Sequence, residues 1–510
     1  MKKHQMFRTT HSLALLKDYG FVSVSILVVL LATLYPFNFS FTESFSLQEL
    51  IASFINTSTF QDRVNNILLF IPLGFFLSRV LQRIRIKLIL EILIVTLAST
   101  SLSTLVEVSQ VFLPSRAPTP EDIINNSIGG FVGWLCFNWF SSKSFAYKLA
   151  SVENNTINQV HKRITVFCIG YILLTFLTLV YWKSTTSLSN WNPNYPLAIG
   201  NEVTGERPWQ GYISEVHIAD KAISNREVLQ VFEDRNYFNN LGNSLLASYQ
   251  LDKEGKLFYR DQSGKQPKLL WQGQPSDAQE RKGISLSSSN WLETAYPVNY
   301  LSKRISKTSE FTISTTVATA DTNQSGPARI ISISNDNLRR NFTVGQQRTD
   351  LNLRLRTPLT GENGVDLILN FPNIFVDTKP HHLIITYSRA TIQVYVDNLK
   401  NSYSLNLLDL MPVEQKIFYY ALTFIPLGIY LALLTILAKR NLITYRFLIV
   451  FGALLPSLIL EALLVSKNGK EISLRNMLLG ILFTAGTALI LRIRAAVLVK
   501  KITVRKSVST

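Results

Sequence analysis

The sequence predicts a polytopic α-helical membrane protein of about eight spans, built as two parallel four-span repeats, with an all-β sandwich (jelly-roll) domain inserted. Three observations predict it. Eight apolar runs lie near residues 18–37, 64–82, 88–111, 122–140, 164–182, 417–438, 445–465 and 474–491. A long polar stretch rich in alternating residues separates the fifth run from the sixth. The pentapeptide Phe-Ile-Pro-Leu-Gly occurs twice, at Phe70–Gly74 and Phe424–Gly428, an offset of 354 residues (424 − 70). In both copies an acid follows the Phe by 37 residues, Glu107 in the first and Glu461 in the second.

The chain opens on a basic tail (1–17) carrying Lys2, Lys3, Arg8 and Lys17. A membrane domain with spans one to four (18–140) follows, then a loop (141–163) with Lys143, Lys148, Lys162 and Arg163. Span five (164–182) leads into the β-rich insert (183–415), and a second helical repeat (416–491) leads into a basic tail (492–510). Arg79, Arg83, Arg85 and Lys87 lie at the inner end of span two and the turn to span three, and Lys439, Arg440 and Arg446 around the turn between spans six and seven. Every second connection is therefore basic, which is the positive-inside bias and places both termini in the cytoplasm and the insert outside the membrane. The net charge of +17 orients the chain in a bilayer and does not mark a nucleic-acid binder. Only two cysteines occur, Cys136 and Cys168, both inside expected spans, which excludes a disulfide framework in the insert and cysteine-based zinc sites. No motif calls for a cofactor, and the six histidines show no metal-ligand spacing.

The expected outer ends of spans two to four gather polar residues. Asp62 and Asn66 open span two, Glu107 and Gln110 close span three, Arg116 lies in the loop, and Asp122 and Asn126 open span four. Each Asp/Asn pair is spaced i,i+4 and shares one helix face. Glu107 stands at a helix C-terminus, where a carboxylate opposes the dipole, and Arg116 or Arg63 would offset that cost. Several readings stand side by side. Asp62 and Asp122 suit helix N-termini. A Glu107–Arg116 pair would hold the loop to the helix end, and Pro72 and Pro426 would kink their helices. An enzyme would use Glu107 or Asp122 as general base and Arg116 as clamp for a lipid-linked phosphate. No nucleophile or metal cluster accompanies them, which favours a protein that is not an enzyme.

The pattern Asp62-x3-Asn66-x3-Phe70-x-Pro72-x-Gly74, then Glu107-x2-Gln110, Arg116 and Asp122-x3-Asn126-x2-Gly129, resembles the VanZ-like family of bacterial membrane proteins. The match covers about 20–140, and more weakly 417–491. In the second copy Lys416 stands for Asp62, Tyr420 for Asn66, Leu464 for Gln110 and Ile472 for Asp122, while Glu461, Asn476 and Lys470 keep counterparts of Glu107, Asn126 and Arg116. The resemblance, to a family named for a glycopeptide-resistance protein, implies a multi-pass protein of the bacterial cell envelope and implies no reaction.

In the insert, alternation marks strands at Phe311–Val317 and Leu351–Arg356, and Leu383–Tyr387 with Ile392–Val396 reads as a hairpin. The segment Pro380–Asn398 resembles the hairpin of laminin-G-like, concanavalin A-like sandwiches, with Asn398 at the left-handed turn position and Asp397 a turn residue. Leu197–Gly200 and Trp209–Val228 resemble the end of that domain but come first, so the order reads as circularly permuted. The likeness implies glycan or protein binding, and Trp191, Trp209, Trp271 and Trp291 are the candidates for stacking on sugars. His381 and His382 are expected as strand residues facing opposite sides. The expected partners are the lipid bilayer together with envelope glycans, lipid-linked precursors or envelope proteins.

Overall fold

The computed structural model describes residues 2–40, 60–113, 118–141, 157–251, 257–275, 283–437 and 442–507. The chain divides into two compact units, 1–155 with 495–510, and 156–494. In the first unit, helices α1 (Lys2–Leu34), α2 (Phe60–Arg83), α3 (Leu88–Gln110) and α4 (Pro120–Ser141) follow one another. The second unit begins with α5 (Ile157–Ser184) and carries α9 (Val413–Leu437), α10 (Leu442–Asn468) and most of α11 (Leu474–Ser507).

Among the described residues six segments are long and apolar enough to cross a membrane: 16–34, 62–83, 88–110, 413–435, 445–466 and 474–493. The fourth and fifth expected spans fold as helices, of 22 and 28 residues, and stand outside that set. The first contains Glu121, Asp122, Asn125 and Asn126 in its opening turns, and the second has a shorter apolar stretch, Cys168–Ser184.

The repeated pentapeptide does the same work in both units. Phe70 and Leu73 are buried in α2, Phe424 and Leu427 in α9, while Pro72 and Pro426 face outward. The glycine allows backbone contact. A Cβ on Gly74 would lie 2.0 Å from the Gly130 carbonyl oxygen, and one on Gly133 would lie 2.2 Å from that of Ile71, so α2 and α4 touch without side chains between them. In the second unit a Cβ on Gly428 would lie 2.6 Å from the Thr484 carbonyl oxygen on α11.

The β region has two antiparallel sheets. Its strands are β1 (Leu197–Ile199), β2 (Gly211–Ala219), β3 (Leu245–Gln250), β4 (Phe258–Tyr259) and β5 (Leu269–Gly273). Then come β6 (Ile284–Leu286), β7 (Asn290–Thr294), β8 (Phe311–Thr319), β9 (Ala328–Ser334) and β10 (Arg340–Gln347). The last are β11 (Asp350–Leu355), β12 (Leu369–Phe371), β13 (His381–Ser388), β14 (Thr391–Val396) and β15 (Asn398–Asn406). One sheet runs β12-β11-β10-β9-β1-β7-β5-β4, the other β15-β14-β13-β8-β2-β3 with β6 paired to β2. They face each other: Phe311 of β8 meets Phe342 of β10 edge-on at 5.0 Å. The expected hairpin forms as β13 and β14, with Tyr387 opposite Ile392 and Leu383 opposite Val396. Its two turn residues, Arg389 and Ala390, both take positive φ (49° and 63°), as a two-residue turn between twisted strands requires. At the next turn Asp397, not Asn398, takes the left-handed conformation (φ 61°). The reason is local, since its carboxylate accepts from the His382 N–H at 2.7 Å and bonds His381 Nδ1 at 2.7 Å.

Two short helices, α6 (Asn225–Glu233) and α7 (Asn299–Thr308), complete the region, and α8 (Leu407–Leu410) leads out of it. Ser224 and Glu227 close a reciprocal capping box on α6, which accounts for that Glu as a structural residue. The β region is seated on its own unit's helices rather than hung from them. The Trp182 indole N–H, at the end of α5, donates to Thr423 Oγ1 of α9 at 2.8 Å. The Leu359 N–H donates to the Thr185 carbonyl at 2.8 Å, the Tyr387 hydroxyl to that of Thr186 at 2.5 Å, and the Glu471 N–H beyond α10 to Asp409 of α8 at 3.2 Å.

Candidate functional site

The start of α2, the end of α3 and the start of α4 lie at one end of the first unit, which brings the expected polar residues to one rim. Glu107 is 2% exposed on the last turn of α3. Its Oε2 accepts the Thr119 backbone N–H at 2.8 Å, just before α4 begins, so the acid stitches two helix ends together. Gln110 is buried and donates to the Thr33 carbonyl of α1 at 3.1 Å. Asn126, near the start of α4, is buried and donates to Ser103 Oγ at 2.8 Å, and among the described residues its buried Oδ1 has no hydrogen-bond partner. Asp122 is half-buried in the first turn of α4, where the helix dipole favours an acid. Asp62 is exposed and Asn66 half-buried on α2, and Arg63 reaches Glu121 at 3.9 Å. Arg116 lies outside the described residues. Among the described residues no cation pairs with Glu107.

The second unit repeats this stitch. Glu461 is buried near the end of α10 and accepts the Ser473 N–H at 2.8 Å, again from a residue twelve positions on (473 − 461; 119 − 107). Its cation is visible: Lys470 Nζ contacts Glu461 Oε1 and donates to the Glu471 carbonyl at 3.0 Å. Lys416, Tyr420, Leu464, Lys470 and Asn476 line one small pocket beside Trp182. In the sequence comparison of the two halves, those five are the positions set against Asp62, Asn66, Gln110, Arg116 and Asn126.

Two buried acids escaped the sequence reading. Asp18 is 1% exposed and held by Arg79 (3.0 Å) and Arg83, which clamps α1 to α2. Glu91, buried in the first turn of α3, accepts from Asn138 Nδ2 of α4 at 2.9 Å. A lone acid amid basic residues was the available signal for Asp18, and an acid opening an apolar run the signal for Glu91.

In the β region Trp191 and Trp209 are buried, their indole N–H groups donating to the Arg356 carbonyl (3.1 Å) and Gln346 Oε1 (2.9 Å). A buried, bonded indole offers a sugar no face. Trp271 and Trp291 are half-buried, and among the described residues the Trp291 N–H has no hydrogen-bond partner. His381 bonds Asp397 and, at 3.2 Å, Asp377, while His382 Nε2 meets Ser314 Oγ at 2.7 Å. The bond to Asp397 raises the His381 pKa above its ordinary value, with Asp377 adding to it.

No curated protein and no solved structure matches the chain significantly. Residues 21–141, which hold the whole first rim, match the family model described as VanZ/LLP1.

Proposed function

We propose that this chain is a multi-pass cell-envelope membrane protein, VanZ-like in each of two duplicated four-span halves, that presents a laminin-G-like, circularly permuted β sandwich outside the cell membrane as a glycan- or protein-binding module. In this reading it is not an enzyme, and the Glu107 rim is a structural and docking site at the outer edge of the bilayer. One observation carries it: the β region rests on the same helix ends that hold the Glu461 stitch. Glu461 bonds Ser473 and Lys470, while the adjoining Glu471 bonds Asp409 beneath the sheets. In each unit a buried glutamate near a helix end, Glu107 and Glu461, accepts a backbone N–H from just before the next helix, which supports the duplication in this reading.

Labelling tests the arrangement. With Cys136 and Cys168 replaced by Ser, single cysteines at Ser109 and Lys303 should both react with a membrane-impermeant maleimide from outside intact cells. Reaction of one only after permeabilisation would sink the reading. Glycan and envelope-protein binding by the full-length protein in nanodiscs tests the module. If a Glu107→Ala variant that still folds loses a lipid-precursor processing activity shown by the wild type, the enzyme or flippase-like reading replaces it.

A further inference from the structure

The outward face of the eight-stranded sheet contains charge that the fold does not balance. Register places Glu293, Ala198, Ser332, Thr343 and Arg354 in one row across β7, β1, β9, β10 and β11. The opposite face of β11 is apolar, with Leu351, Leu353 and Leu355 all buried. In the adjoining row Arg329 stands opposite Gly345, whose missing side chain leaves room: a Cβ there would lie 3.2 Å from Arg329 Nη1. Arg340 enters from the start of β10.

Both guanidiniums are 1% exposed, and one carboxylate, the fully buried Glu202, lies between them. Its Oε1 is 3.4 Å from Arg329 Nε and 3.6 Å from Arg340 Nη2, too long to satisfy either group well. Among the described residues, Nε and Nη1 of both arginines, both Glu202 oxygens and Thr343 Oγ1 have no hydrogen-bond partner. Burial pushes Arg329 down to about 9, with Arg340 adding to it, and Arg340 down to about 10; burial also lowers Arg354. Two guanidiniums with a third at Arg354 face one acid, an excess of two positive charges. Of the other nearby charges, Arg356 pairs with Glu362 at 2.7 Å and Asp336 with Arg339 at 2.7 Å, while Arg207 donates to the neutral Gly326 carbonyl and adds to the positive excess. Buried water would satisfy hydrogen bonds but cannot neutralise that excess. A planar or tetrahedral oxyanion does both, because guanidinium forks match it.

We propose that the β region carries an oxyanion site formed by Arg329, Arg340 and Thr343 with Arg354 at its entrance, taking the carboxylate of an acidic sugar or the phosphate of a phosphorylated envelope polymer. Arg354 suits an entrance because it is half-buried and only reaches Asn363 at 3.5 Å. This inference rests on the reading of the β region as a binding module and narrows its ligand to anions.

The test uses the full-length protein in nanodiscs with three probes: glucuronate, glycerol phosphate and neutral glucose. Calorimetry should show one or both anions binding, more weakly at high salt, and Arg354→Gln should weaken that binding about tenfold or more. Thr343→Val, close in volume, should weaken it a few-fold without moving the anion-free unfolding temperature, and keeps the test open if Arg354→Gln misfolds. Which anion binds assigns the source. Undiminished binding in both variants, or binding of glucose alone, overturns the site and leaves the module reading intact. Binding of no probe overturns the site, and failure of the glycan and protein screens besides would overturn the module.

Discussion

The two rims share a backbone device and differ in the described groups that surround it. In each, a buried glutamate ending one helix accepts the N–H that begins the approach to the next, at 2.8 Å. Around Glu461 the second unit supplies Lys470 and surrounds it with Leu464 and Tyr420. Around Glu107 the described residues of the first unit are hydrogen-bonding groups: Gln110 tied to α1, Asn126 tied to Ser103, and Asp122 half-buried nearby. The difference teaches that the stitch is architectural and the surrounding polar set is separable from it.

The sharpest way to break the comparison is Lys470→Met. It strands the Glu461 carboxylate, and loss of one partner of a buried pair costs about 3–5 kcal/mol. Thermal unfolding in detergent should show it, and the double variant Glu461→Gln/Lys470→Met should recover most of the loss. Glycine packing ranks next. Gly74→Ala should cost about 1–3 kcal/mol and exceed Gly428→Ala, because its Cβ would sit 2.0 Å from a carbonyl oxygen rather than 2.6 Å. At the first rim, Glu107→Ala removes the side-chain acceptor of the Thr119 N–H, a loss of about 1–3 kcal/mol, whereas Glu107→Gln keeps the acceptor and should be close to neutral. The smallest effect isolates the β region from both rims. Since the His381 pKa is raised in the fold, its stabilisation is complete below the ordinary histidine value of about 6.5 and is lost as pH rises through the raised value. The stability of the β region should therefore fall modestly as pH rises above about 6.5, and His381→Gln should flatten that slope.

The helices were legible because their signals are local: apolar runs, the repeated Phe-Ile-Pro-Leu-Gly, and acids at the same offset. The rim was legible for the same reason, since Glu107, Gln110, Asp122 and Asn126 lie on consecutive helix ends. The clamp of Asp18 by Arg79 and Arg83 was not, because nothing in α1 announces which helix it will meet. The Phe311 strand was visible, yet all nine residues of β8 are buried, so its alternation reflects β-branched chemistry rather than one wet face. Strand order escaped the sequence too, as β1 pairs with β9 and β7, both far along the chain. Most opaque were Arg329 and Arg340, since sequence reading assigns arginine to the surface by default. Their burial depends on Gly345 and Glu202, which come together only in three dimensions.

The bond from the Trp182 indole to Thr423 fixes the departing and returning chain side by side where the β region leaves the helices. A pull on that region, from whatever it grips, would be shared by α5 and α9 at once and would arrive as a shear between paired rods rather than as a tug on a single thread.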